Sequence, residues 1–254
     1  SKGQVAKSID GGKNFEFMTI ENHENNDFRA IHAWNAQEAI VVSIASPGYV
    51  LKTNDGGQHW KTIIEIPDSL VFMDAIHFVD SSNGYIIGDP NAGVPFMLQT
   101  TDKGEHFNEV GDTYFKSKML EGESFFAASN SNITSSSMGL YWVTGGQHSR
   151  LWINGQAMDI PIIQGGKTTG ANSIAIDQNG KILYIVGGDF SKDSISTKNC
   201  FAIQYTGNNQ WKEYKILKKP TGYKSSICFV GNSAVTTGTS GVDISLDKGK
   251  NWKN

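Results

Sequence analysis

The chain has 254 residues, 22 basic against 25 acidic, and a formal net charge of −3, a balance that offers no basic stripe for nucleic acid and no acidic solvating tail. No apolar run approaches the roughly 18 residues a membrane span needs, and no signal peptide is visible. The length is enough for a full hydrophobic core, and 28 glycines with few long amphipathic runs point to many short strands joined by tight turns. Cys200 and Cys228 sit in short apolar stretches and read as two buried small hydrophobes rather than a disulfide.

In chain order, one pattern recurs. Residues 8–15 read SIDGGKNF, with Asp10, Gly12 and Phe15 in fixed order. The chain enters directly into this partial unit (about 1–20), from which a trimmed N-terminus is expected. Residues 27–66 form the first full unit, with alternating strands at 30–33, 40–43 and 49–52 before the turn Asp55, Gly57, Trp60. Residues 71–112 repeat it with strands at 75–78, 85–88 and 96–99 before Asp102, Gly104, Phe107. Two units with worn turns follow, 122–162 (turn at 151–155) and 170–217 (turn at 205–211). The last unit, 223–254, closes on Asp247, Gly249 and Trp252. Asp10 to Asp55 is 45 residues and Asp55 to Asp102 is 47. A period of about 40–50 residues with several short strands per unit is the signature of an all-β propeller. The expected fold is one domain over 1–254, of about six four-stranded antiparallel blades, with the N-terminal blade incomplete.

The turn itself reads as architecture. Its Asp accepts backbone N–H groups further along, its Gly takes positive φ, and its aromatic tucks back between sheets. A calcium loop needs several alternating oxygen ligands and a distal Glu, and here the position two after Asp is Gly. No His/Cys cluster has zinc spacing, no glycine-rich loop opens a helix, and 165–168 (GGKT) lacks the first glycine of a phosphate loop, so neither metal nor cofactor is expected. His32 and His77 fill the same slot in successive units, which favours packing over catalysis.

The S/T-x-D-x-G-x-x-W/F turn is identified as an Asp-box, or BNR repeat, and its use resembles sialidase-like and sortilin-like propellers. With 88–90 (GDP), 121–123 (EGE), 126–129 (FAAS) and 187–189 (GGD), the chain resembles a bacterial branch related to the Ycf48/Hcf136 photosystem II assembly and stability factors. Members of that branch are often labelled oxidoreductases or glycosyl hydrolases. The resemblance implies a periplasmic or secreted protein and a partner-binding role.

In a four-stranded meander A-B-C-D, the Asp-box turns lie at one end, and the B–C and D–A loops at the other. Ligand residues are expected on the second face: Arg29, Asp74, Asp89, Glu121, Glu123, His148, Arg150 and Asp189, with Asn91 beside them. Phe72, Phe125, Phe126, Phe190 and Tyr223 lie among them, and 189–199 is an unusually long insert. Such a mouth suits a sugar, a peptide or a partner loop. A glycosidase needs two facing carboxylates, for which Glu123 with Asp89 or Asp189 are the candidates. A sialidase clamps its substrate with three arginines, and this chain has two, Arg29 and Arg150. The sequence therefore favours a non-catalytic binding or assembly scaffold for a protein, carbohydrate or peptide ligand, with a glycoside hydrolase as the alternative.

Overall fold

The computed structural model describes residues 2–44, 46–67 and 71–254, with the side chains of Asn91, Asp112 and Thr113 outside the description. The chain forms two compact units, Ser1–Gly111 and Asp112–Asn254. In the first, β1 (Gln4–Lys7) and β2 (Glu16–Thr19) pair as a two-stranded sheet. Two four-stranded antiparallel meanders follow. One is β3 (Phe28–Ala33), β4 (Ala39–Ser43), β5 (Gly48–Thr53) and β6 (Lys61–Ile66); the other is β7 (Met73–Phe78), β8 (Gly84–Asn91), β9 (Val94–Thr100) and β10 (Asn108–Glu109). A single helical turn, α1 (Gly111–Tyr114), comes next.

The second unit begins with β11 (Glu123–Ser124), β12 (Ile133–Ser136), β13 (Gly139–Gly146), β14 (Arg150–Ile153) and β15 (Gln156–Asp159). A second meander holds β16 (Thr169–Ile176), β17 (Ile182–Asp189), β18 (Cys200–Gly207) and β19 (Gln210–Glu213). These two repeats fuse into one sheet because Gly145 on β13 pairs with Gly170 on β16. The contact requires glycine: a Cβ on Gly170 would lie 2.4 Å from the Cα of Gly145. The final sheet is β20 (Ser226–Val230), β21 (Ser233–Gly238) and β22 (Gly241–Ser245), with its fourth position reduced to a bridge between Ile244 and Lys253.

Alternation explains the packing. Strands buried on both faces, such as β4 and β17, read as near-continuous apolar runs, and their side chains fill the spaces between neighbouring sheets. Ile40, Val42, Val50, Ile76 and Ile86 form such a core in the first unit, and Val143, Leu151, Ile174, Leu183 and Ile185 in the second. Each fully buried side chain of this kind contributes roughly 1.5–3 kcal/mol.

The four clear turns share one hydrogen-bond pattern. The Oγ of Ser8, Thr53, Thr100 and Ser245 accepts the N–H of Gly12, Gly57, Gly104 and Gly249 at 2.8–3.0 Å. The Asp Oδ1 accepts the N–H four residues on, at 2.9–3.0 Å. Its Oδ2 takes that same residue's side chain: Asn14, His59, His106 and Asn251, at 2.7–2.8 Å. His59 and His106 thus do the work of an asparagine. Gly57, at φ 91°, holds the positive dihedral that lets the chain double back. These bonds hold the Asp10 carboxyl down to about 2, first through the Asn14 N–H, and keep Asp55 and Asp102 well below the usual range, first through the N–H groups of His59 and His106.

Thr53→Val removes the acceptor of a buried N–H and is expected to destabilise the first unit by about 1–2 kcal/mol, read by urea titration of Trp60 fluorescence.

Three expectations change. The worn turns are not clasps: Asn154-Gly155 and Asn208-Asn209 are two-residue hairpin turns with positive φ at both positions, which need no Asp to close them. Phe15 is not tucked between sheets but exposed, because its sheet has only two strands, whereas Trp252 is fully buried. Cys200 is buried, but Cys228 points outward on β20 and is exposed; both thiols are free.

Candidate functional site

The B–C and D–A loops of each unit were expected to carry the ligand residues, and each unit has its own set. In the first unit, a β-bulge at the start of β3 makes Arg29 the extra residue, and the same bulge in β7 selects Asp74. Bulges re-aim a side chain, and the two residues take opposite fates. Arg29 is exposed and held by Asp27, its Nε and Nη2 donating to Oδ2 at 3.0 and 2.9 Å. Asp74 is fully buried, and neither carboxylate oxygen has a hydrogen-bond partner among the described residues. Burial, and then the charge of Asp89, push its carboxyl well above the usual range. Asp89 is half-buried beyond the end of the β8–β7 pairing, its N–H donating to the carbonyl of Phe72 at 3.0 Å. Arg29, Asp74 and Asp89 therefore form one electrostatic group; the side chain of Asn91 lies outside the described residues.

A carboxyl raised in this way adds most to stability below the usual pKa near 3.8 and loses that contribution as pH rises. Asp74→Asn, which mimics the neutral acid, is expected to raise stability by about 1–3 kcal/mol at pH 8 and to gain little near pH 4, measured as paired urea midpoints.

In the second unit the carboxylates are engaged. Glu123 and Arg150 are both buried and form a bidentate ion pair, with Arg150 Nε donating to the two oxygens at 3.0 and 2.9 Å and Nη2 closing a second bond to Oε2. Thr144 Oγ1 donates to the same carboxylate, as do the N–H of Leu120 at 2.9 Å and Trp152 Nε1 at 3.3 Å. The same Nη2 also donates to the carbonyl of Lys118 at 2.7 Å, and the guanidinium lies over the Trp152 ring at 4.8 Å. The register builds this directly. Thr144 faces Arg150 and Trp142 faces Trp152 across β13–β14, and Glu123 sits on β11 opposite Gly146.

Asp189 is also turned inward, accepting the N–H and Oγ of Ser191 at 3.0 and 2.7 Å; the Ser191 hydroxyl is the leading cause of its lowered pKa. Glu121 is exposed and His148 half-buried. Tyr223, buried, donates to Asn172 at 2.9 Å, and its ring stands edge-on to Phe190, which stands edge-on to Phe126, at 6.1 and 6.0 Å.

Two arrangements were not anticipated. Lys224 and Asp243 form a fully buried ion pair at 2.6 Å, with Thr221 donating to the carboxylate. Ser131 links Ser129, Ser173 and Ser226 by hydroxyl contacts at 2.5, 2.7 and 3.3 Å. The serines had a signal: Ser173 and Ser226 hold the same position in successive repeats. On the side of the Asp-box turns, an open groove of about 240 Å³ is lined by Val5, Met18, Ile31, Gly57 and Trp60 among others, with no carboxylate on its walls. No group of three or more metal-ligating side chains occurs among the described residues, and no helix is long and apolar enough to cross a membrane.

Repeated antiparallel meanders of this kind define a β-propeller fold. Solved structures with this fold include Ycf48 bound to D1 peptide, with 17% identity and a TM-score of 0.63 over 99% of this chain and 75% of that one. Ycf48 from Cyanidioschyzon merolae gives 16% identity and a TM-score of 0.61 over 100% of this chain and 78% of that one. The GH74 xyloglucanase from Xanthomonas campestris gives 14% identity and a TM-score of 0.63 over 98% of this chain, which spans 42% of the enzyme. At these identities the likeness is one of fold. No protein-family model and no curated protein sequence matches the chain.

Proposed function

We propose that the chain is a non-catalytic binding or assembly scaffold, a single propeller domain of about six Asp-box blades that presents its B–C and D–A loop face to a protein ligand. One observation carries this reading: the carboxylates a hydrolase would need are committed elsewhere. Glu123 is closed in by Arg150, Thr144 and Trp152, and Asp74 is wholly buried. A carboxylate that reaches no solvent cannot touch a substrate. Each unit keeps solvent-reaching residues of its own: Arg29 and Asp89 in the first, and Glu121, His148 and Phe190 in the second. A fold neighbour bound to a peptide fits a protein ligand, and the Asp-box resemblance to Ycf48-related factors fits a periplasmic or secreted setting.

The hydrolase reading draws on the GH74 neighbours and on Asp74 with Asp89, the one pair of carboxylates in mutual electrostatic contact among the candidates. Incubation of the purified chain with xyloglucan and a mixed glycan panel separates the two. The scaffold predicts no release of reducing ends, together with a retained protein whose capture weakens in Asp89→Asn or Arg29→Ala. Release that disappears in Asp89→Asn would replace the scaffold by a hydrolase.

A further inference from the structure

The insert between β17 and β18 has an unusual combination of properties: it is long, it is held at many points, and it still exposes apolar side chains. Asp189 caps its start through Ser191, and the Phe190 N–H donates to the carbonyl of Thr168 at 3.1 Å. Its middle is tied to the 220–223 segment, with the Tyr223 N–H donating to Asp193 O at 2.7 Å and the Gly222 N–H to Ser196 Oγ at 2.7 Å. Its end is anchored by the buried Asn199, whose amide donates to the carbonyls of Pro220 and Gly222 at 2.9 and 2.7 Å. Yet Phe190 is 44% exposed and Ile195 42%. Ordering a loop costs entropy, and leaving large apolar groups in water forgoes the usual compensation.

The aromatic base is built rather than incidental. A Cβ at Gly145 would lie 2.4 Å from the Phe126 ring, and one at Gly188 would lie 3.1–3.4 Å from Tyr223, so both rings rest directly on backbone. They flank Phe190 edge-on and fix its orientation. The 165–168 turn, which phosphate-loop chemistry left unexplained, lies against the insert: Thr168 Oγ1 and Ser191 Oγ are 3.3 Å apart. Lys167 immediately precedes Thr168 and Lys192 immediately follows Ser191, both exposed, with Lys198 exposed at the insert's far end. Of the two local carboxylates, Asp189 is bonded to Ser191 and feels the charge of Lys192, and Asp193 is half-buried. On a chain of net charge −3, the three lysines against two aspartates leave a small positive excess around an exposed aromatic.

We propose that the 189–199 insert and the 165–168 turn form a preformed docking surface for an acidic, extended protein segment, which seats an apolar side chain on Phe190 and sets its carboxylates against Lys167 and Lys192. The surface rests on the scaffold reading and specifies its partner. Charge complementarity selects an acidic segment, and the prior anchoring of the insert lowers the ordering cost of binding.

The test uses the full 254-residue chain and three fluorescent, end-capped peptides: alternating Glu and Phe, alternating Lys and Phe, and alternating Glu and Ser. The Glu/Phe peptide is expected to bind at least about tenfold more tightly than either control. Phe190→Ala should weaken it by about tenfold, and Lys167→Glu with Lys192→Glu should abolish it. Raising salt from about 0.1 to about 1 M, which shortens the screening length from about 10 to about 3 Å, should weaken it severalfold. All three substitutions are on exposed side chains, and unchanged thermal melts verify folding. Equal binding of the three peptides, no binding of any, binding unaltered by the variants, or a xyloglucan oligosaccharide displacing the peptide from Phe190 would each overturn the proposal. Glycan turnover would instead sink the scaffold reading itself, whereas peptide binding that survives Phe190→Ala would sink only this surface.

Discussion

Arg150→Met is expected to destabilise the second unit by about 3–5 kcal/mol, the cost of leaving one member of a buried ion pair uncompensated. The stranded group would be Glu123, 3% exposed, with only Thr144, Trp152 and one backbone N–H still bonded to it. An exposed pair would give a far smaller effect, about 0–1 kcal/mol, so the size of the loss reports the burial. The double variant Glu123→Leu, Arg150→Met should recover most of the stability, because no charge then remains to be desolvated. Urea titration followed by tryptophan fluorescence is well suited, since Trp142 and Trp152 stack at 5.6 Å beside the pair. A single-variant loss below about 1 kcal/mol would mean that water reaches Glu123. In that event Glu123 would return as a candidate for chemistry, so the measurement bears on function as well as stability.

The first unit should lose stability between about pH 6.5 and pH 4, by on the order of 3 kcal/mol from His77. Burial, and then the charge of His32, lower the His77 pKa from 6.5 to about 4. The unfolded chain therefore takes up a proton near pH 6.5 while the folded one resists until about 4. The His77 contribution is full above 6.5 and declines through that window as the unfolded state gains its proton. His32, packed against Trp34 and Phe78 at 4.8 and 4.6 Å, is lowered by burial and adds in the same direction. The clasp aspartates act elsewhere on the scale. Their depressed carboxyls contribute stability above the usual 3.8, and Asp10 gives it up only as pH falls through about 2. His77→Gln should accordingly flatten the profile from pH 7 to pH 4.5 without touching the clasps. The buried Asp74 carboxyl works in the opposite direction over the same range, so urea midpoints at three pH values are compared in the Asp74→Asn background, where a profile that is already flat would contradict the assignment.

The candidate face was legible in part. Arg29, Asp74 and Asn172 stand at the starts of inner strands, and repeat alignment alone put them in one slot; the bulges in β3, β7 and β16 account for that shared position. What each does there was not legible. Arg29 stays at the surface with Asp27, Asp74 is sealed beside Asp89, and Asn172 binds Tyr223. Glu123 and Arg150 both appeared as ligand residues because nothing local distinguishes a charge that faces solvent from one that faces its partner. The partner is 27 residues away and arrives only when β11, β13 and β14 assemble. The pairing of Lys224 with Asp243 was not legible for the same reason. The insert at 189–199 was visible as a length anomaly, but its anchoring to 220–223 depends on the packing of successive repeats.

The sequence by itself determined the antiparallel strand pattern and the four clear turns, because the bonds of those turns run between residues no more than four apart and the apolar pattern has the period of a strand. Thr53, Asp55, Gly57 and His59 carry everything their hairpin needs. Tertiary structure alone decided which charges are spent inside and which remain to meet a partner, because desolvation depends on everything that surrounds a group, and those neighbours come from distant points in the chain.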